Sequence, residues 1–233
     1  MTFSDLELAR LQAGALFVHD ADGRLLAVNE PDPGEPAPRF FLARTATGNL
    51  WRTRADLPAD LSAALARLAA DEPIAPDLRE PARHMAGYTA LLAQHAPVGR
   101  TEAGPAYYLP ERDPPARAVI ITPENVSLVE AHFPYTQTNY AALAPVVVCV
   151  ADGVAVAVCF SARITAQVAE AGVYTVEAYR GRGYAADTVR GWAAAVRALG
   201  RLPLYSTSWS NTASQAVARR LGAVQYGVDL SIM

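Results

Sequence analysis

The sequence contains no lysine: all 20 basic residues of this 233-residue chain are arginines, and they are scattered. No Lys/Arg run or basic stripe forms and the formal net charge is −3, so the footprint of a nucleic-acid-binding protein is missing. No long apolar run exists either. The most apolar stretch, Pro145 to Phe160, is interrupted by Asp152-Gly153, a pair that favours a two-residue hairpin turn. A membrane span needs about 20 uninterrupted apolar residues, so this stretch reads as a hairpin. The N-terminus reads Met-Thr-Phe-Ser-Asp-Leu-Glu, acidic where a secretory signal is positively charged, which points to a cytoplasmic protein. Histidines are few and dispersed (His19, His84, His95, His132), so no zinc site is expected. Only two cysteines occur. In a two-residue hairpin Cys149 faces Val156 and Cys159 faces Val146, about 10 Å apart and beyond disulfide reach. Both are expected to be buried, reduced and without a catalytic role.

What is present is apolar material, 52% of residues against 18% charged, enough for one large domain or two small ones. Residues 1–110 read as a smaller α/β domain. Strands at 15–18 and 25–28 flank the turn Asp20-Ala-Asp-Gly-Arg24, and two more strands lie within 40–54. Helices follow at 59–70 and about 78–95. Asp20-Ala-Asp-Gly resembles the start of a calcium loop, but the later acidic ligands are missing. Residues 96–115, rich in Pro and Gly, read as the boundary, with one short apolar piece at 106–109. From 116 to 233 the order is β-α-α-β-β-β-α-β-α-β. Its helices include 123–133, about 137–142, 183–199 closed by Gly200, and 211–221 closed by Gly222.

The informative segment is Val173-Tyr-Thr-Val-Glu-Ala-Tyr-Arg-Gly-Arg-Gly-Tyr-Ala-Ala186: a strand, a turn rich in arginine and glycine, and a helix start. Glycines let backbone approach a ligand, the helix N-terminus offers free N–H groups, and Arg180 and Arg182 add charge; a pyrophosphate suits all three. Gly181-Arg-Gly183-Tyr-Ala-Ala186 also satisfies a dinucleotide fingerprint. However, the acid required about 20 residues on is absent and too little chain remains for a doubly wound sheet.

Arg180-Gly-Arg-Gly183-Tyr-Ala185 and Asn211-Thr-Ala-Ser214-Gln-Ala-Val-Ala-Arg-Arg-Leu-Gly222, with 222 − 211 = 11, together resemble the GNAT superfamily of N-acetyltransferases over residues 116–233. The resemblance implies a mixed, mostly antiparallel α/β (α+β) sheet with flanking helices. It implies acetyl-CoA as co-substrate and no metal. Val173 and Thr175 would meet the pantetheine and thioester. Gly181, Arg182, Gly183, Tyr184, Ala185 and Ala186, beside Arg180, would cradle the pyrophosphate, and Asn211, assisted by Ser214, would contact the cofactor. It suggests Glu170, on the strand upstream of Arg180, as the base that deprotonates an amine through water. The tyrosine that many members place seven residues after the asparagine is Ala218 here. Tyr226 is then the candidate acid for the leaving thiolate, with Tyr205, Ser208 and solvent as alternatives.

Each residue also has a plainer reading. Asn211 and Ser210 suit helix N-caps, Trp192 recurs at core spacing with Val189, Val196 and Leu199, and Glu177 reads as structural. Tyr205 and Trp209 are candidates for lining the acceptor site. The function implied is acetyl transfer to a primary amine of a small molecule, by a monomer or homodimer that binds neither nucleic acid nor membrane. Residues 1–110 would cap the acceptor pocket. A non-catalytic acyl-CoA-binding module and an acetyltransferase acting on a protein amine are the alternatives.

Overall fold

A computed structural model describes residues 3–31, 34–74 and 77–233. It opens with helix α1 (Asp5–Leu16), which runs into the segment expected to be a strand at 15–18. A capping box starts it: Ser4 Oγ accepts from the Glu7 amide, and the Glu7 carboxylate accepts from the Ser4 amide. β1 (Phe17–His19) and β2 (Leu25–Val28) pair as a separate hairpin. The Asp20 carboxylate accepts from the Asp22 and Arg24 amides, so it holds this turn itself. β3 (Phe40–Thr45), β4 (Gly48–Thr53) and α2 (Ala59–Ala70) follow. α3 spans Met85–His95 rather than starting near 78, because Pro81 disfavours helical backbone at Glu80. The Glu72 carboxylate instead accepts from the Arg83 and His84 amides.

Next come β5 (Thr101–Tyr108), β6 (Ala118–Ile120), α4 (Pro134–Asn139), β7 (Val146–Ala151), β8 (Val154–Ile164) and β9 (Val168–Thr175). The chain closes with α5 (Tyr184–Ala198), β10 (Leu202–Ser206), α6 (Thr212–Leu221) and β11 (Val224–Ile232). The expected helix at 123–133 is only a 3-10 turn, Val126–Val129: Asn125 bonds the Thr122 amide and the Ile120 carbonyl, a local alternative to helix.

Nine strands form one sheet in the order β4-β3-β11-β5-β10-β9-β8-β7-β6, antiparallel throughout except for the β10–β9 pair. β5, which lies within the Pro- and Gly-rich stretch 96–115, pairs between β11 and β10 in this sheet. Buried Arg39 adds to the continuity, donating to the carbonyls of Leu92, Ala96, Pro97 and Met233.

Strand alternation separates two faces. Ala169, Tyr205 and Tyr107 pack with α5 and α6, whereas Val168, Leu204, Ala106 and Tyr226 pack with α1. The β7–β8 hairpin has its two-residue turn at Asp152 and Gly153, with φ of 52° and 82° as a type I′ turn requires. A bulge between Cys149 and Val150 shifts the register by one, so Cys149 faces Ala157 and Cys159 faces Val147 rather than the expected valines. Both cysteines are free and buried. Desolvation pushes the Cys149 thiol up to about 11 and also raises that of Cys159 well above the ordinary thiol range. No helix among the described residues is long and apolar enough to cross a membrane.

Candidate cofactor and catalytic site

The site is built where two neighbouring strands part. β9 and β10 pair in parallel at Leu202–Val168, Pro203–Ala169 and Leu204–Glu170, and there the ladder stops, although β9 continues to Thr175. Beyond Glu170 the β10-facing edge of β9 is open. On the α5 and α6 side of this opening lies a cleft of about 600 Å³. Val173, Thr175, Arg180, Gly181, Gly183, Tyr184, Ala185, Ala186, Asn211 and Ser214 all line it. Its walls also include Ala213, Ala216 and Val217, a smooth apolar surface between polar ends.

The loop between β9 and α5 bends through two glycines. Gly181 and Gly183 have φ of 76° and 85°. Gly183 is the N-cap of α5 and has no side chain to satisfy the first amides, so the N–H groups of a 15-residue helix face a cleft edged by arginine. A Cβ on Gly183 would lie 2.9 Å from Arg220 Nη2. Arg220, from the last turn of α6, thus brings a cation to the loop that the sequence reading did not include. Basic residues in a helix's last turn are ordinary complements to its dipole, and only the packing of α6 on α5 turns this one toward the loop. Arg182 does not line the cleft: its guanidinium sits 5.3 Å from the Tyr179 ring centre. Arg117 braces the loop from outside, pairing with Asp187, stacking 4.5 Å over the Tyr184 ring and donating to the Arg182 carbonyl. Among the described residues, neither Arg180 nor Arg220 is in an ion pair.

Asn211 caps α6, its Oδ1 accepting from the Ser214 amide at 3.0 Å, and the residue lines the cleft. Ser214 Oγ lies 2.6 Å from the Tyr205 hydroxyl, which is also in the cleft wall. Burial, against the Ser214 hydrogen bond, pushes the Tyr205 phenol up to about 12, so it carries its proton at neutral pH. Thr175 Oγ1 is buried without a partner in the same cleft.

These features decide the family together with one comparison. A family model described as the acetyltransferase (GNAT) domain matches residues 78–224. The chain belongs to the GNAT acetyltransferase family. That match starts upstream of residue 116, in keeping with β5 belonging to the same sheet. Solved GNAT structures are similar at low identity. A GCN5-related N-acetyltransferase-like protein of Streptococcus suis is 15% identical, with 84% of this chain and 85% of that one covered and a TM-score of 0.49. A GNAT-family acetyltransferase of Colwellia psychrerythraea is 12% identical, with 100% and 98% covered and a TM-score of 0.47. For a GNAT-family chain of Novosphingobium aromaticivorans the values are 22%, 58%, 65% and 0.44, so this chain spans just under two thirds of that one. No curated protein matches the sequence.

The other face of this GNAT sheet holds the acidic groups. Glu170 is 2% exposed; Oε1 accepts from Ser206 Oγ at 2.6 Å, and buried Oε2 has no partner. Tyr226, the acid suggested by sequence, lies on this α1 face away from the cofactor cleft. Its hydroxyl donates to buried Gln12 at 2.7 Å, and Gln12 in turn donates to Asp229 Oδ2 at 2.9 Å. Neither Gln12 nor Asp229 stands out in sequence, since each sits inside an amphipathic element; the Ser4–Glu7 capping pattern was the available signal for α1. Ser208 faces a smaller cavity on this side, and Trp209 lines neither space, its amide bonding Ala103. Trp192 is core, its indole N–H donating to Ser161.

Desolvation raises Glu170 to about 7, opposed by Ser206 and Arg163, and raises Asp229 to about 8, aided by the Glu170 charge. A carboxyl raised in the folded state binds more protons there than in the unfolded chain, so stability declines as pH climbs from the ordinary carboxylate range through the folded value. We expect the protein to lose on the order of 3 kcal/mol or more between pH 5 and pH 9 from these two groups. Glu170→Gln/Asp229→Asn should flatten that slope in urea melts at the two pH values. A slope unchanged in the double variant would show that neither carboxyl is held protonated.

Proposed function

We propose that the protein transfers the acetyl group of acetyl-CoA to a primary amine of a small molecule by direct attack, in the cytoplasm and without a metal. The observation that carries this reading is the gap between β9 and β10: an anion-binding cleft opens on one face, and a buried carboxyl waits at the base of the gap on the other. A donor lying in the cleft along the open edge of β9 presents its thioester at the gap. An amine arriving from the α1 face meets it there.

The roles follow from position. Glu170, poised near neutrality, accepts the amine proton through a bridging water. Open β9 amides polarise the thioester carbonyl. The departing thiolate needs a proton, and Tyr205 is the donor that fits: protonated, in the cleft wall and oriented by Ser214. Tyr205 takes the role that Ala218 cannot fill and for which Tyr226 lies on the wrong face. We assign residues 1–110 the role of a cap on the acceptor side, a reading supported by Leu16, Phe17 and Val28 in the wall of the cavity there.

Thiol-reagent detection of CoA release from acetyl-CoA across a panel of amines tests the proposal. Amine-dependent release supports it. Tight acetyl-CoA binding with no release from any amine points instead to an acyl-CoA-binding module. Tyr205→Phe is expected to lower kcat roughly tenfold to a hundredfold while acetyl-CoA affinity stays within a few-fold, measured by steady-state kinetics and calorimetry. An unchanged kcat would pass the acid role to solvent.

A further inference from the structure

On the α1 face, lined in part by Ser206 and Asp229, lies a cavity of about 240 Å³. That is below the roughly 300–1,000 Å³ of pockets for drug-sized ligands, so its occupant is small. Leu16, Phe17, Val28 and Phe41 give it an apolar wall, and Arg163, Ser206 and Asp229 a polar one. Buried polar atoms are nearly always hydrogen-bonded, yet Asp229 Oδ1 and Arg163 Nε, on two residues that line this cavity, have no partner, and neither has Glu170 Oε2, which sits behind the wall residue Ser206. They come from three separate strands. Two are acceptors and one is a cationic donor. The rim pair Arg100–Glu102 is mutually satisfied at 3.5 Å and exposed, so it is not the missing complement. Arg163 is held in place by Glu30 through Nη2, which leaves Nε for something else.

A ligand that complements the Asp229 and Arg163 side chains in this wall carries an amine and an anionic oxygen a short distance apart, with an apolar remainder. We infer that this cavity binds a small apolar α-amino acid, its amine directed at Asp229 and the Ser206 wall in front of Glu170, its carboxylate at Arg163, and its side chain at the phenylalanine wall. The inference rests on the acyltransferase reading and narrows it to an acceptor class. The α-nitrogen forms a bond to the acetyl carbon and the carbon–sulfur bond breaks. The amine proton passes to Glu170 and the thiolate leaves as CoA thiol after protonation, giving an N-acetyl amino acid.

The test compares leucine with 3-methylbutylamine, the same skeleton without the carboxylate, on the full-length protein with acetyl-CoA. Both CoA release and calorimetric binding to the CoA-loaded protein are measured. Leucine should exceed the amine by about tenfold or more in kcat/KM, the size of one charge-assisted hydrogen bond. Arg163→Met should erase the difference without moving acetyl-CoA affinity. Because that change strands Glu30, Arg163→Met/Glu30→Gln serves as a second variant in which the surface charge is balanced. Equal or better use of the amine, or a leucine preference that survives both variants, overturns the inference and leaves the acyltransferase reading standing. Arg163-dependent leucine binding without any CoA release upholds the cavity's ligand class and removes the acyltransferase reading. Absence of leucine binding and turnover together overturns the inference.

Discussion

Glu170→Gln is expected to lower kcat/KM by at least about a hundredfold while leaving acetyl-CoA affinity nearly unchanged. General-base catalysis contributes about 10² to 10⁴ to rate, and a glutamine of the same shape can still accept the Ser206 hydrogen bond but cannot take a proton. The wild-type pH profile should distinguish this loss from a packing defect. With Glu170 raised to about 7, activity rises with pH below that value as the carboxyl ionises, then levels off. The variant should lose that limb. Glu177→Gln is the control, since Glu177 is exposed, close in sequence and distant in role. A variant that kept both its rate and its pH dependence would place the base elsewhere on this face. Asp229, up at about 8, would be the next group to examine, because its titration is linked to Glu170.

Much of this architecture is readable in sequence wherever chemistry is local. Asp152-Gly153 specifies its turn type, Gly222 ends its helix in the left-handed conformation at φ 64°, and the Arg180–Ala186 turn places glycine where positive φ is needed. The cofactor half therefore shows itself as a run of punctuation. The rest is set by contacts that cross the chain. β5 is a central strand, yet Gly104 and Pro105 within it argue against one. Its position follows from pairing with β11 and β10, and from the close approach of Thr207, whose carbonyl would lie 1.8 Å from a Cβ at position 104. The register of Cys149 depends on a bulge with no turn residue to announce it. Arg220 and Gln12 read as ordinary helix residues, and become site residues only because α6 packs on α5 and α1 packs beneath β11. Tyr226 is one of several hydroxyls that the sequence offers as the acid once position 218 is alanine, but strand parity beside the Gln225–Gly227 irregularity turns it to the α1 face.

Replacing Gly183 with leucine should weaken acetyl-CoA binding by roughly a hundredfold or more, and this result bears on the whole cofactor assignment. Two effects add. At φ +85° a side chain costs about 1–2 kcal/mol of backbone strain, which the loop can relieve only by rotating the first amides of α5 away from the cleft. The new Cβ also lies 2.9 Å from Arg220 Nη2 and 3.3 Å from Arg117 Nη2, so the guanidinium of Arg220, which we propose completes the anion site, must move. Two comparisons separate these contributions. Gly181→Ala has φ +76° with nothing within 4 Å of the added carbon, so it reports backbone strain inside the loop and should cost about tenfold. Gly200→Ala has φ +74° and equally open space, but closes the far end of α5, so it should lower Tm without touching acetyl-CoA affinity. If Gly183→Leu bound acetyl-CoA like the wild type while Gly200→Ala lost stability as expected, the glycine turn would be a folding device alone and the donor would have to bind elsewhere. If affinity falls in the order Gly200→Ala, Gly181→Ala, Gly183→Leu, the amides of α5 and the Arg220 guanidinium act together on the pyrophosphate, and the cleft between α5 and α6 is where the acyl donor is held.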